Sequence, residues 1–160
     1  MLIPVFFLSP RSLLEHLGDM LMHIDLLDSP ELDFISTLIP SLQSDDAYKR
    51  FMLLLKWYLS SWHYKTHGCK KPYNPIIGET FSCIVDTAES RVSYVAEQCN
   101  HHPPISAFYL ENQKKQYCVN GYIWTKSHFT GNSAMGSMLG KIEVFLPKFD
   151  EQVRFISLLH

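Results

Sequence analysis

Apolar residues recur at three- and four-residue steps through the first third of the chain, then at two-residue steps through the rest. The early part predicts helices. In "SPRSLLEHLGDMLMHIDLL", Ser9 stands where an N-cap belongs, and Pro10 fits the first helical position. Leu13, Leu14, Leu17, Leu21 and Ile24 then fall on one face. "SPELDFISTL" repeats the start at Ser29 and Pro30, with Glu31 and Asp33 in the first turn, where the helix dipole favours acids. In "DDAYKRFMLLLKWYLSSWHY" the positions Tyr48, Phe51, Met52, Leu55, Leu59 and Trp62 form a stripe that predicts a core-facing side. Lys49, Arg50 and Lys56 lie off it, toward solvent.

The period changes at "CKKPYNPIIGE", where two prolines and a glycine end helical order. Beyond it, "TFSCIV", "RVSYVAE", "ISAFYLE", "QYCVNGYIW" and "GKIEVFLP" alternate as strands, and "NQKK" reads as a hairpin turn. No helix separates them, which predicts an antiparallel meander. The fold class is therefore α+β: a helical region over about 9–66, then strands over about 79–148. The last stretch, "FLPKFDEQVRFISLLH", is an apolar run with no closing element, so the chain reads as the front part of a larger sheet. The apolar start, "MLIPVFFLSP", lacks a basic flank and is too short to span a bilayer. It reads as a buried extended segment.

Composition narrows the class. With 160 residues, 46% hydrophobic and 19% charged, the chain can form one domain with a real core. A formal net charge of −2 argues against a general nucleic-acid binder, so any anion recognition has to be local. Cys69, Cys83, Cys99 and Cys118 are scattered without a CxxC pair, and no Asn-x-Ser/Thr site is present. Both fit the cytosol.

Two stretches carry chemistry. "KKPYNP" sets Lys70, Lys71 and Asn74 between prolines that restrict the backbone, so these donors lose little entropy on binding. The alternative is a surface turn with solvated lysines. "NHHPPIS" sets His101 and His102 before Pro103 and Pro104. A zinc site would need His63, His67 and Cys69 as further ligands, with His63 and His67 at helical i, i+4 spacing. A hydrolase would need a nucleophile, yet neither GxSxG nor SxxK occurs. An anion site needs donors, partial burial and rigidity, which lysine, histidine and proline supply. It also needs a bend. Neighbouring side chains on a regular strand face opposite ways. Both rings can meet one anion only if residues 98–103 form a loop or bulge, with Lys71 and Asn74 arriving from a separate segment to within about one anion's width of the rings. Asn100 tolerates the left-handed backbone such an interruption uses.

Together, "KKPYNPIIGETF" and "EQCNHHPPISAFY" resemble the lipid-binding domain of the oxysterol-binding protein-related family, whose fingerprint is usually written EQVSHHPP. Cys99 and Asn100 stand where Val and Ser are usual. "IWTKSHFTGNS" and "PVFFLSPRSLLEHL" also resemble family segments, in the right order. The resemblance implies helices followed by an antiparallel meander that forms part of an incomplete β-barrel around a lipid tunnel, with residues 1–160 as a partial domain. It implies a carrier rather than an enzyme, with no cofactor and no metal. The ligand pair would be phosphatidylinositol 4-phosphate exchanged for a sterol or phosphatidylserine. By the same resemblance Lys71, Asn74, His101 and His102 hold the headgroup phosphate. The implied location is cytoplasmic, with peripheral contact to organelle membranes and no nucleic-acid partner.

Relative to that family pattern, the chain starts just after the lid and stops before the C-terminal helix that carries further headgroup residues. "SSWHYKTHGC" lacks the polar pair that some members use for a sterol hydroxyl. The alternative reading is a truncated, transport-dead piece that serves interaction or regulation.

Overall fold

The computed structural model describes residues 8–24, 46–62, 71–87, 90–129 and 134–159. The expected helix at Ser29–Pro30 and the apolar start of the chain lie outside them, as do His63, His67 and Cys69.

Six strands form one antiparallel sheet in sequence order: β3 (Thr80–Asp86), β4 (Arg91–Asn100), β5 (Ile105–Asn112), β6 (Tyr117–Phe129), β7 (Ala134–Leu146) and β8 (Glu151–Leu159). This is the expected meander, and among the described residues the sheet is open, with β3 and β8 at its edges. Two short strands, β1 (Leu8–Ser12) and β2 (Lys71–Tyr73), make a separate parallel pair. Between them lie α1 (Leu13–Leu17), a 3₁₀ turn (Gly18–His23) and α2 (Ala47–Trp62). No described helix is long and apolar enough to cross a membrane.

Strict alternation builds the core. In β4 every second residue is buried, so Val92, Tyr94, Ala96 and Gln98 all face inward. Phe108, Leu110, Val119, Ile142 and Val144 extend that face across the sheet, and Leu14, Leu17, Leu53, Leu54 and Trp57 cover it from the helices. The Tyr94 hydroxyl donates to the Leu14 carbonyl at 3.2 Å, tying α1 to β4. Phe108 lies opposite Gly121. A Cβ at Gly121 would sit 2.6 Å from Phe108 Cζ, so glycine is what admits the ring.

Three expectations are corrected. Ser9 and Pro10 lie in β1 and do not start a helix. Pairing with Lys71–Tyr73 holds this stretch extended, and the cap moves to Ser12, whose Oγ accepts from Leu14 N at 3.4 Å. Leu13, Leu14, Leu17 and Ile24 are buried as expected.

Most of the stripe on α2 faces the other way: Tyr48, Phe51, Met52 and Leu59 are exposed, while Leu55 packs against the core as expected. Tyr48 is 69% exposed and Leu59 59%, whereas Arg50, Leu53, Leu54 and Trp57 are buried. Both faces of this helix are apolar, and the choice falls to Arg50. Its guanidinium pairs with Glu151 and lies 3.8 Å from the Phe149 ring centroid. About two turns on, Tyr58 stacks on Phe155 at 4.4 Å. The face that carries a lysine-like residue in sequence is thus the one that docks on β8.

The strands also run past 148. A 3₁₀ turn (Pro147–Phe149) and a left-handed Asp150 (φ 52°) return the chain into β8, so the final apolar run is a sixth strand.

Candidate functional site

The two chemistry-bearing stretches meet at one corner of the sheet. The first, after β2, runs through Pro75 into a turn at Gly78, whose φ of 76° is open to glycine without strain. The Glu79 carboxylate holds that turn from two sides. It accepts from Ile76 N at 3.1 Å and from the Ser12 hydroxyl at 2.6 Å, so the α1 cap and the turn share one anchor. The second stretch leaves β4. Gln98 lies opposite Ser106, but the next matched pair is Asn100 with Ile105, so Cys99 is the extra residue of a bulge. His101 to Pro104 then form a turn, and the His102–Pro103 peptide is cis.

The interruption expected between Gln98 and Pro103 is therefore present. The His101 and His102 rings meet edge to face with centroids 4.5 Å apart, an arrangement that opposite faces of a strand would not allow. His101 Nδ1 lies 2.9 Å from the Pro75 carbonyl oxygen. A carbonyl only accepts, so Nδ1 carries the hydrogen and Nε2 is left for another partner. His102 is exposed.

Lys71 and Asn74, both exposed, line a cavity of about 300 Å³. Its polar side adds Lys126, Thr125 and Ser137, and its apolar side is Leu13, Pro104 and Met138. Two ammonium groups, an amide and two hydroxyls beside an apolar wall suit an anionic group with an apolar stem. The imidazoles are not among the lining residues. They connect to the cavity through Pro104 at the end of their turn, and through the bond from His101 to Pro75, next to Asn74. Lys126 sits with its Nζ 3.8 Å from the Trp124 ring centroid. Lys126, inside the family-like segment "IWTKSHFTGNS", has no role legible from its neighbours in sequence. Its register opposite Ser137 brings it to the cavity. Among the described residues no group of three or more His, Cys, Asp or Glu side chains could hold a metal ion. A more open depression of about 540 Å³, lined by Ser82, Ile84, Ser93, Val95 and Tyr109 among others, contains no basic side chain.

Comparison with known proteins gives the lineage. The family model for oxysterol-binding protein matches residues 1–157. Oxysterol-binding protein-related protein 5 of Homo sapiens is 45% identical over 141 residues, covering 87% of this chain and 15% of the relative. The chain thus spans under a fifth of that relative's length. The crystal structure of the Osh1 ORD domain in complex with ergosterol superposes with a TM-score of 0.77 at 25% identity, over 99% of this chain and 35% of that one. The Osh3 ORD in complex with PI(4)P, from Saccharomyces cerevisiae, shares the fold at a TM-score of 0.76 and 19% identity, over 98% of this chain and 38% of that one. Sheet order, the histidine turn and these matches agree, and the chain belongs to the oxysterol-binding protein family.

Proposed function

We propose that residues 1–160 form part of a lipid-transfer domain that holds a phosphoinositide by its headgroup, phosphatidylinositol 4-phosphate exchanged for a sterol or phosphatidylserine at the surface of cytoplasmic membranes. Lys71, Asn74, His101 and His102 are the proposed phosphate donors, and Lys126 adds charge from the same cavity. The observation that carries the reading is the joint between the two motifs: His101 Nδ1 against the Pro75 carbonyl, next to Asn74 and the cavity.

The energetics favour headgroup recognition. Each CH₂ that moves from a bilayer into an apolar tunnel exchanges about 0.8 kcal/mol for about the same amount. Tails therefore add little selectivity. A phosphate withdrawn from water needs charge-assisted hydrogen bonds, each worth about 1.5–3 kcal/mol.

The test is extraction from liposomes containing phosphatidylinositol 4-phosphate, set against liposomes containing phosphatidylinositol. His101→Ala with His102→Ala is expected to lower phosphatidylinositol 4-phosphate extraction at least about tenfold, the loss of roughly one such bond. Unchanged extraction in a folded double variant refutes the assignment. A second reading, a piece that binds without carrying, draws on the open sheet. Headgroup binding without transfer between two liposome populations would select it.

A further inference from the structure

Among the buried polar side chains, Gln98 has no exposed surface at all, and every polar atom it carries is engaged. Its backbone N–H donates to the Glu79 carbonyl, and its carbonyl accepts from Gly78 N–H, both at 3.0 Å. Its side chain reaches past the bulged Cys99, and Nε2 donates to the Asn100 carbonyl at 2.8 Å. The buried Ser106 hydroxyl donates to Oε1 from the facing strand. The orientation of the amide follows from chemistry. The Asn100 backbone carbonyl only accepts, so the NH₂ must face it, and the remaining oxygen accepts from Ser106.

We infer that Gln98 is the positioning residue of the histidine turn: its amide, aimed by Ser106, clamps the Asn100 carbonyl and so fixes the bulge that sets both imidazoles on one side. The backbone of the same residue ties that turn to the Gly78 turn, which leads back through Pro75 to Asn74. One buried residue thereby couples the two halves of the proposed site. Glutamine suits the role because it spans two residues and offers a donor and an acceptor at once. Glutamate keeps the acceptor for Ser106 and loses the donor for Asn100. Methionine keeps the volume and loses both. The inference rests on the headgroup reading only for its functional consequence, since the ring geometry can be measured without ligand.

The test has two arms. In the ligand-free, isotope-labelled chain, the histidine Cε1–Hε1 resonances of His101 and His102 are assigned from single alanine variants. Gln98→Met and Gln98→Glu are expected to shift and broaden both, while the amide resonances of β6 and β7 stay in place. Ring resonances that superimpose on the parent spectrum overturn the inference. In the second arm, Gln98→Met is expected to lower extraction from phosphatidylinositol 4-phosphate liposomes about tenfold, and to add little once His101 and His102 are alanine. An equal further drop in that background overturns coupling through the histidines. If the histidine double variant extracts like the parent, the phosphate reading falls, and the ring resonances still decide the role of Gln98. Should Gln98→Met unfold the sheet, Ser106→Ala carries the same test, because it keeps the buried amide and removes only the donor that aims it. It is then expected to move the same ring resonances, and unmoved rings overturn the inference.

Discussion

The histidine corner and the α2–β8 corner are both held by buried polar groups, but of opposite kinds. At the histidine corner the anchors are the Gln98 amide, the Ser106 hydroxyl and backbone carbonyls, most of them within eight residues of one another. At the other corner a buried guanidinium meets a carboxylate 101 residues away, between stacked and cation-facing rings. The first arrangement is local and directional, and it shapes a turn. The second is long-range, and it chooses which face of a helix is buried. A network of directional amide and hydroxyl bonds suits a site whose basic groups are kept for a ligand. An ion pair suits a joint that binds nothing.

The sharpest way to break the comparison is at the helix. If α2 docks by Leu53, Leu54 and Trp57, then Leu54→Ala opens a cavity in the core and costs about 3 kcal/mol. Leu59→Lys, on the exposed stripe, is expected to change stability by less than about 0.5 kcal/mol. Chemical denaturation of both variants measures the difference. Equal losses would mean that the outward face of α2 is also packed.

The ion pair comes next in size. Hydrogen bonds to Arg50 hold the Glu151 carboxyl below its ordinary value of 4.5. A carboxyl lowered by folding stabilises the protein above its unfolded pKa, and that contribution is lost as pH falls through the folded value. Glu151→Gln should therefore cost about 1 kcal/mol at pH 7, the partly exposed carboxylate being screened by solvent. It should cost progressively less below pH 4.5, where the unfolded chain takes up the proton first and the folded carboxyl follows at its lowered value. Denaturation midpoints at several pH values read this directly. A gap that does not narrow in acid would mean that the carboxylate charge is not what joins α2 to β8. Headgroup extraction should be unaffected at neutral pH, since no residue of this joint lines the cavity.

The two corners were also unequally legible. The bend at the histidines follows from neighbours in sequence. Alternation forbids two adjacent rings on one side, while Pro103 and Pro104 supply an interruption. The left-handed Asn100 that the sequence suggested is not what forms it, since Asn100 pairs with Ile105 and Cys99 is the bulged residue. Alternation likewise marks the strands, most plainly in β4 and β5, where every second residue is buried. The orientation of α2 was not legible. Periodicity reports that a helix has an apolar stripe, and here there are two. The deciding partner, Glu151, sits in a strand whose start depends on a left-handed Asp150 after a proline turn. Pro10 misled for a related reason. Proline opens helices and also tolerates strands without an outer ladder bond, and only β2, about sixty residues on, selects the second use. Lys126 lies inside the family-like segment "IWTKSHFTGNS", but only the strand register, which sets it opposite Ser137, shows that it reaches the cavity.

The smallest expected effect sharpens the account of the histidine corner itself. Two groups of Asn100 touch the turn. Its carbonyl accepts from Gln98 at 2.8 Å, and its side-chain amide donates to the His102 carbonyl at 3.3 Å. The first bond is short and buried on the glutamine side. The second is long, and it ends on the exposed edge of the turn, where water can replace it at little cost. If the carbonyl is what holds the bulge, the side chain is replaceable. Serine, which can also bond its own backbone in a turn, should serve nearly as well. Asn100→Ser is expected to shift stability by less than about 0.5 kcal/mol and to keep phosphatidylinositol 4-phosphate extraction within about twofold of the parent. Matched extraction and denaturation assays on Asn100→Ser and Gln98→Met separate the two bonds. A loss in Asn100→Ser as large as in Gln98→Met would move the clamp from the backbone to the asparagine side chain, and the turn would then depend on its surface edge rather than on its buried side.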